Sequence, residues 1–267
     1  KNQGVSHARN IGLQEASGAY ITFIDADDRI DKNYLTNLYR AAIQTKADIT
    51  ISSIVKYWDK YEKYEKVYIP YRGICNFKDL IIDFAKVQKD TGVYGFCWGK
   101  LIRKEIIRNI FFDENYKLSE DFEFYLRVYP SITTICFDDK SCYYYYQQTE
   151  NSSALVEDNK IDYLSQLYLN LKYRNFLQNM NAYTGENKKI VDQLLSNYVF
   201  FTVFHSSRLS VEDNVNTVYH IVDDEQIILN GTNFMKKIIL YFIKVGNGKA
   251  VRIILSIYDV LRKKLKK

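Results

Sequence analysis

Four carboxylates follow a short apolar run near the start of the chain. Residues 20–24, with the sequence YITFI, are typical of a buried strand, and Asp25, Asp27, Asp28 and Asp31 come soon after them. Carboxylates this close repel one another and raise each other's pKa unless a cation or strong donors share them. Alternate side chains of a strand point to the same side, so Asp25 and Asp27 can converge. Because hard divalent cations prefer carboxylate and phosphate oxygens, the pattern predicts a cation and a phosphorylated ligand at this strand end.

The acidic segment has three other interpretations. An EF-hand loop needs glycine at its sixth position, which is Ile30 when Asp25 is the first, so this kind of calcium loop is excluded. A turn that is merely rich in aspartate stays open. A phosphatase similar to the haloacid dehalogenases, with Asp25 as nucleophile, also stays open, although those enzymes place Thr or Val where this chain has Arg29.

Hydrophobic spacing predicts the elements around this segment. Residues 8–16 favour a helix before the strand, and a second helix is indicated by apolar residues at helical spacing: Leu35, Leu38, Tyr39, Ala42 and Ile43. We expect further elements in this order: a strand at 48–58, a helix at 76–88, a turn leading into a helix within 95–109, and strands at 133–138 and 142–148. The prediction is a layered α/β domain over residues 1–150 and a helical region over 151–267, with a boundary near 148–155.

Composition describes a globular chain with a basic tail. The 267 residues are 47% hydrophobic and 26% charged, which is enough for one sizeable core. Residues 235–267 carry ten Lys and Arg against Asp259 alone, a net charge of +9, which leaves −4 for the rest because the whole chain carries +5. No nucleic-acid partner is expected, since only the tail is basic. The four cysteines have no CxxC pair or metal-ligand spacing, so we expect reduced thiols and a cytoplasmic setting.

The tail at 235–267 is predicted to form a basic amphipathic helix. It has no uncharged apolar run near the ~20 residues that a spanning helix needs. One helical face carries its apolar residues: Val251, Ile254, Leu255, Tyr258, Leu261 and Leu265. The pattern favours binding to an anionic membrane surface, peripherally at the inner face of the plasma membrane, and the alternative is a terminal helix docked on the domain.

A series of spaced motifs between residues 2 and 39 resembles the donor-site core of family 2 glycosyltransferases with the GT-A fold. In order, these are Asn-x-Gly, Ala-Arg-Asn-x-Gly, Ala-x-Gly-x-Tyr and an apolar strand ending in Asp-x-Asp-Asp. The likeness continues downstream at positions that match the family: Trp98, Lys100, Leu101, Phe112, Glu120, Asp121 and Phe124. The resemblance implies a Rossmann-like GT-A sheet followed by a C-terminal helical extension. Because family members begin with a strand that holds the nucleotide base, we expect this chain, which starts at Lys1, to be N-terminally incomplete.

The resemblance also implies a reaction, the transfer of a sugar with inversion from a nucleotide diphosphate, expected to be UDP, to a glycan or lipid-linked acceptor. Asp121 would be the general base, with Glu120 orienting it, and an ordinary aspartate pKa of about 3.9 would keep Asp121 ionised at neutral pH. Asp27 would bind a manganese or magnesium ion at the leaving diphosphate, and Asp25 would contact the metal or the ribose. The expected setting is the synthesis of a bacterial surface polysaccharide.

Several of these positions also have structural interpretations. Ser119 and the acids after it suit a helix N-cap. Arg9, the candidate cation for the donor diphosphate, is equally consistent with a solvated helix residue, and Trp98, the acceptor-side candidate, with core packing. For the whole domain, the alternative is a non-catalytic sugar-binding domain of the same fold, whose mark would be the loss of Asp27 or Asp121. Both aspartates are present.

Overall fold

A computed structural model describes residues 3–147, 161–205, 210–229 and 234–265. The chain divides into two compact units, unit 1 being Lys1–Leu155 with Phe176–Asn187 and unit 2 being Val156–Asn175 with Lys188–Lys267. The predicted boundary near residues 148–155 lies outside the described residues, so the division at residue 150 stays a prediction.

Within the described residues, unit 1 is built on a mixed sheet of seven strands. These are β1 (Tyr20–Ile21), β2 (Arg29–Ile30), β3 (Ile49–Trp58), β4 (Lys63–Lys66), β5 (Gly73–Asn76), β6 (Lys100–Arg103) and β7 (Thr134–Tyr146). Their order is β1-β6-β3-β7-β2, with β4 paired to β3 and β5 paired to β7. Strands β3 and β7 run parallel, and the other pairs are antiparallel. The predicted layered α/β sheet is confirmed.

Helices account for most of the other described residues. They are α1 (Val5–Glu15), α2 (Tyr34–Thr45), α3 (Phe77–Leu80), α4 (Phe84–Thr91), α5 (Glu120–Val128), α6 (Tyr163–Asn179), α7 (Gly185–His205), α8 (Val211–Asp224), α9 (Phe234–Lys244) and α10 (Gly248–Leu265). Helix α2 packs against β7 and β3 and buries Leu38 and Ala42. The other members of its predicted apolar face, Leu35, Tyr39 and Ile43, are exposed.

Four predicted elements differ in the structure. The buried strand expected at residues 20–24 is only Tyr20–Ile21 (β1), because just these two residues pair with β6; Phe23 makes an isolated bridge to Trp98, and Ile24 is 43% exposed. The segment after Gly99, expected to be helical, forms strand β6, because Leu101 and Ile102 are buried and pair with β3 inside the sheet. Only a short 3-10 turn follows it. The helix expected at 76–88 is divided into α3 and α4 by another 3-10 turn. The two strands expected at 133–138 and 142–148 are one strand, β7, which bulges where its register with β3 shifts.

The core of unit 1 is largely aromatic. Phe84 of α4 stacks on Tyr94 with 4.3 Å between ring centroids, and Phe77 of α3 stacks on Tyr129 at 5.2 Å. Phe176, at the end of α6, lies edge-on or tilted against this group. Close-packed rings of this kind add to the free energy gained from burying apolar area, and they give the sheet a firm support.

Asp48 fastens the start of β3 to the start of β7. Its buried carboxylate accepts hydrogen bonds from the backbone N–H groups of Thr133 at 2.6 Å and Thr134 at 3.0 Å, and from the Thr133 hydroxyl at 2.9 Å. The guanidinium of Arg103 pairs with its other oxygen. Burial alone would raise the pKa of Asp48, but these donors and Arg103 hold it below its ordinary value.

We expect Asp48→Asn to lower the free energy of unfolding by roughly 2–4 kcal/mol at pH 7, because charge-assisted hydrogen bonds are replaced by weaker ones and Arg103 loses its ion pair with this buried carboxylate. The pKa of Asp48 is lower in the folded state, so its stabilisation is present above about pH 4 and is lost as the pH falls through the folded pKa. Urea denaturation at several pH values measures both effects. Asp90→Asn, at an exposed ion pair with Lys86, is the matched control, and equal stability of the Asp48 and Asp90 variants at pH 7 would contradict the prediction.

In unit 2, helices α8, α9 and α10 pack against one another. Val251 and Leu255, from the predicted apolar face of the tail, are buried there. That part of the apolar face therefore packs on protein, which agrees with the alternative of a docked terminal helix. Tyr258, Leu261 and Leu265 lie outside the residues whose side chains are described. Among the described helices, none is long and apolar enough to span a bilayer.

Candidate functional site

Residues 22–28, between β1 and β2, form the acidic loop, which contains Asp25, Asp27 and Asp28. Contacts with β7 hold this loop in place. Tyr143 of β7 donates its hydroxyl to Asp28 at 2.6 Å, and the same oxygen accepts from the backbone N–H of Asp25 at 3.1 Å. The backbone N–H of Tyr146 donates to the other oxygen of Asp28 at 2.8 Å. Burial raises the pKa of Asp28 to about 6, and the charges of Asp27 and Asp25 add to the rise. The two hydrogen bonds that Asp28 accepts oppose this rise because they favour its ionised form. Asp28 is thus the residue that ties the loop to the sheet.

Arg9 joins the acidic loop to the start of α5. One nitrogen of its guanidinium donates to Glu120 at 2.7 Å, and the other donates to Asp25 at 3.1 Å. The Arg9 side chain is only 12% exposed and lies over the ring of Phe112, 5.4 Å from its centroid. The interpretation of Arg9 as a solvated helix residue is therefore wrong. The planar fork of arginine suits this bridge between two carboxylates, which a lysine could not form in the same way.

Asn10, next to Arg9, anchors α1 to the segment before α5. Its side-chain amide donates to the carbonyl oxygen of Phe112 at 2.9 Å and accepts from the N–H of the same residue at 2.7 Å. This reciprocal pair mimics a backbone ladder and holds Arg9 opposite Glu120. Asn10 belongs to the Ala-Arg-Asn motif, but its contact with Phe112 joins residues 102 positions apart, which no local pattern predicts.

Asp121 lies in the first turn of α5, next to Glu120. Burial raises the pKa of Asp121 to about 6 and repulsion by Glu120 adds to the rise, while the N–H of Phe122 at 2.8 Å and the charges of Arg9 and Lys100 oppose it. A carboxyl group with this pKa is mostly ionised at neutral pH and is a stronger base than an ordinary aspartate. The site therefore contains a carboxylate suited to accepting a proton.

Ser119 precedes α5 but does not cap it. Its backbone φ of 61° lies in the left-handed region, which residues other than glycine seldom adopt, and its side chain makes no capping hydrogen bond. The segment at 119–121 is therefore a helix start, as the N-cap interpretation expects, but Ser119 supplies no side-chain cap. The acids of the first turn still benefit from the positive end of the helix dipole, which favours their ionised forms.

Asp27 is the exposed carboxylate of the acidic loop. In the part of the chain that the structure describes, it makes no hydrogen bond or ion pair, whereas Asp25 shares an oxygen with Arg9. No group of three or more His, Cys, Asp or Glu among the described residues is arranged to hold a metal. Asp27 and Asp25 fit a hard cation whose remaining ligands come from phosphate and water, since two protein carboxylates are a common contribution to such sites.

Trp98 is packed inside unit 1. The residue is 3% exposed. Its ring stacks in parallel on Phe96, with 4.3 Å between ring centroids, and on Tyr143, with 4.7 Å. Tyr145 lies tilted against it at 4.7 Å. The structure supports core packing for Trp98 instead of direct stacking on an acceptor sugar. The half-buried rings of Phe96 and Tyr145 extend from this stack.

The structure thus brings Arg9, Asp25, Glu120 and Asp121 into one cluster and places Asp27 at its exposed edge. Trp98 supports the cluster through Tyr143, whose hydroxyl reaches the acidic loop. The arrangement brings exposed and buried carboxylates and a fixed guanidinium into one region of unit 1.

Comparison with known proteins gives concordant results. The sequence profile of glycosyl transferase family 2 matches residues 1–111. Glycosyltransferase GlyA of Streptococcus pneumoniae is 30% identical over 155 residues, covering 54% of this chain and 21% of that protein. The cholesterol galactosyltransferase of Borreliella burgdorferi is 29% identical over 143 residues, covering 51% of this chain and 40% of that protein. The chain spans less than half the length of either relative.

A solved structure shares the fold. The crystal structure of residues 1–349 of TarS from S. aureus, in complex with UDP-GlcNAc, aligns with a TM-score of 0.56 at 17% identity. The alignment covers 97% of this chain and 73% of that chain. At this level of identity the likeness establishes the architecture, an α/β sheet of the GT-A type with C-terminal helices.

Proposed function

We propose that this chain, whose residues 1–111 match the profile of glycosyl transferase family 2, transfers a sugar from a nucleotide diphosphate to a glycan or lipid-linked acceptor. The observation that carries the proposal is the bridge from Asp25 through Arg9 to Glu120, which joins the acidic loop to the helix that bears Asp121. TarS was crystallised with UDP-GlcNAc, which supports a UDP-sugar as donor. The relative named as a cholesterol galactosyltransferase supports a lipid-type acceptor. The family match favours sugar transfer over the phosphatase with Asp25 as nucleophile.

In the proposed reaction, Asp121 accepts the proton of the acceptor hydroxyl while the hydroxyl oxygen attacks the anomeric carbon of the donor sugar. The bond from this carbon to the diphosphate oxygen breaks, and the diphosphate leaves with the bonding electrons. Attack from the face opposite the leaving group inverts the anomeric configuration. Arg9 holds Glu120 and Asp25 in place, so that the distance between Asp121 and the acidic loop stays constant.

Asp27 and Asp25 are the residues that would hold a divalent cation. Asp27 has both carboxylate oxygens available to a ligand, within the described part of the chain, and it is exposed to solvent where a diphosphate can reach it. When bound, manganese or magnesium would neutralise charge on the leaving diphosphate. We propose this cation as the cofactor, and bacterial surface-polysaccharide synthesis as the setting.

A transfer assay tests the proposal. The purified protein is incubated with manganese, radiolabelled UDP-glucose, UDP-galactose or UDP-GlcNAc, and a bacterial membrane fraction as acceptor source. We expect label to enter the acceptor fraction with one donor, together with released UDP. Equal incorporation by an Asp121→Asn variant would contradict the assignment of the site. Failure with every UDP-sugar would overturn UDP as the nucleotide, and binding without transfer would favour the non-catalytic sugar-binding domain.

We also propose that unit 2 binds an anionic membrane surface. The docked face of α10 is not available for this, but α9 and α10 leave Tyr241, Val245 and Ile253 more than half exposed. Exposed basic residues lie on the same two helices: Lys237, Lys244, Lys249 and Arg252. Apolar side chains among cations suit the interface of an anionic bilayer, where each basic residue contributes about 1 kcal/mol.

Flotation with liposomes checks the membrane proposal. We expect the protein to float with vesicles containing phosphatidylglycerol but not with pure phosphatidylcholine, and to lose flotation when three exposed tail lysines are changed: Lys237→Glu, Lys244→Glu and Lys249→Glu. The matched control changes three exposed lysines of unit 1: Lys32→Glu, Lys78→Glu and Lys89→Glu. The same flotation by both triple variants would contradict the proposal, because net charge alone would then explain binding.

A further inference from the structure

Lys100 is a fully buried cation at the start of β6. Its side chain is 1% exposed, and Nζ donates to the carbonyl oxygen of Phe96. Among the described residues, no carboxylate lies within ion-pairing distance of this ammonium. Burying a charge in this way costs free energy, and an apolar residue of similar length would fill the same space without that cost. The retained charge therefore requires an explanation other than packing.

The ammonium of Lys100 lies against the helix that carries Asp121. Nζ is 4.3 Å from the centroid of the Tyr125 ring. Tyr125 follows Asp121 by four residues in α5, so the two side chains project from the same face of this helix. The Tyr125 hydroxyl also donates to the carbonyl oxygen of Cys97 at 3.4 Å, which keeps the segment before β6 along that face. Lys100 thus lies against the face of α5 that carries Asp121 and Tyr125.

The other charged and titratable groups near Asp121 come from three directions. Glu120, on the same helix, repels its charge, and Arg9 of α1 is already bridged to Glu120 and Asp25. The thiol of Cys97 is neutral at pH 7, because burial raises its pKa. Within the described residues, Lys100 is the nearby cation that no carboxylate neutralises directly.

We propose that Lys100 is a positioning residue whose buried charge keeps Asp121 ionised, so that Asp121 can take the proton of the acceptor hydroxyl. The inference rests on the proposed function for the identity of that proton. Lys100 contacts no substrate and acts only through Asp121. The electrostatics agree in both directions: Lys100 limits the rise in the pKa of Asp121, while burial lowers the pKa of Lys100 to about 7 with Asp121 opposing the fall.

Carboxyl carbon NMR of the protein labelled with carbon-13 at aspartate tests the proposal without any sugar transfer. The Asp121 signal is assigned by its absence from Asp121→Asn. We expect Lys100→Gln and Lys100→Met to raise the titration midpoint of Asp121 by about one pH unit, and Lys100→Arg to leave it nearly unchanged. Lys104→Met is the matched control, since Lys104 follows β6 and donates to the carbonyl oxygen of Ala16. An Asp121 midpoint that is the same in all four variants would overturn the proposal.

A measurement on the unaltered protein covers the case in which the Lys100 variants do not fold, which thermal melting would reveal. Burial lowers the pKa of Lys100 to about 7, so the Asp121 carboxyl signal should show a second, smaller inflection at the pH where Lys100 loses its proton. A single inflection would overturn the proposal.

Kinetics give a separate readout once a donor and acceptor are known. The acid limb of kcat/KM should move to higher pH in Lys100→Gln, by the same amount as the NMR midpoint of Asp121. A shifted NMR midpoint in a protein that transfers no sugar would leave the electrostatic role of Lys100 standing and defeat the proposed function alone.

Discussion

Replacing Asp121 by asparagine is expected to reduce sugar transfer by about 10²–10⁴-fold, the range that a general base contributes, while leaving nucleotide binding intact. The amide has nearly the shape of the carboxyl group but cannot accept the proton of the acceptor hydroxyl. Its neighbours Arg9 and Glu120 keep their own hydrogen bond in this variant. Initial rates of label transfer measure the loss, and titration with UDP measures the retained binding.

The control for this experiment is Asp139→Asn, an exposed aspartate of the bulge in β7. It should transfer sugar at the parent rate. For the unaltered protein, the acid limb of the kcat/KM profile should fall near pH 6, since burial raises the pKa of Asp121 to about 6 and activity requires its ionised form. Parent-like transfer by Asp121→Asn, or an acid limb near pH 4, would show that another group accepts the proton.

Replacing Asp27 by alanine should abolish manganese-dependent transfer, with a loss of more than about 100-fold, because an outer-shell partner of a metal already contributes 10–100-fold and a ligand contributes more. The change removes an exposed side chain that makes no hydrogen bond or ion pair among the described residues, so the stability of the fold should not alter. Transfer rates over a range of manganese concentrations, with thermal melting alongside, separate loss of metal from loss of fold.

The comparison variant is Asp139→Ala, which removes an equally exposed carboxylate from the same unit. It should keep the parent's manganese response. If Asp27→Ala retains that response as well, the cation is held elsewhere, and the role given to the acidic loop is wrong.

Local features of the site could be predicted from the sequence. The apolar run before Asp25 and the spacing of the acids predict carboxylates after a strand, and the structure places Asp25, Asp27 and Asp28 in the loop after β1, although that strand is shorter than the apolar run. A cation at these carboxylates stays a proposal. The layered α/β sheet follows in the same way from alternating helical and extended periods. These are short-range patterns, in which each residue's neighbours determine the outcome.

The contacts that give the site its electrostatics could not be predicted, since they join distant parts of the chain. Arg9 and Glu120 are 111 residues apart, and Asp28 and Tyr143 are 115 residues apart. No local pattern distinguishes Asp28, which ties the loop to β7, from Asp27, which is exposed. The run of four tyrosines in β7 was an available signal, because phenol hydroxyl groups are frequent partners of buried carboxylates.

The roles of some aromatic and apolar residues are ambiguous in the local sequence. Trp98 suits a sugar platform and a core equally well, and only the stacking of Phe96 and Tyr143 against it decides between them. Leu101 and Ile102 were assigned to a helix because a short apolar run fits either period, whereas their pairing with β3 makes them a strand. In each case tertiary packing supplies the information that the local sequence lacks.

We propose that the acidic loop after β1 binds a nucleotide diphosphate through a divalent cation. Calorimetric titration of the protein with UDP, in the presence of manganese and in the presence of a chelator, measures this binding. We expect binding that requires manganese and disappears in Asp27→Ala. UDP binding that is unaffected both by the chelator and by the loss of Asp27 would contradict it.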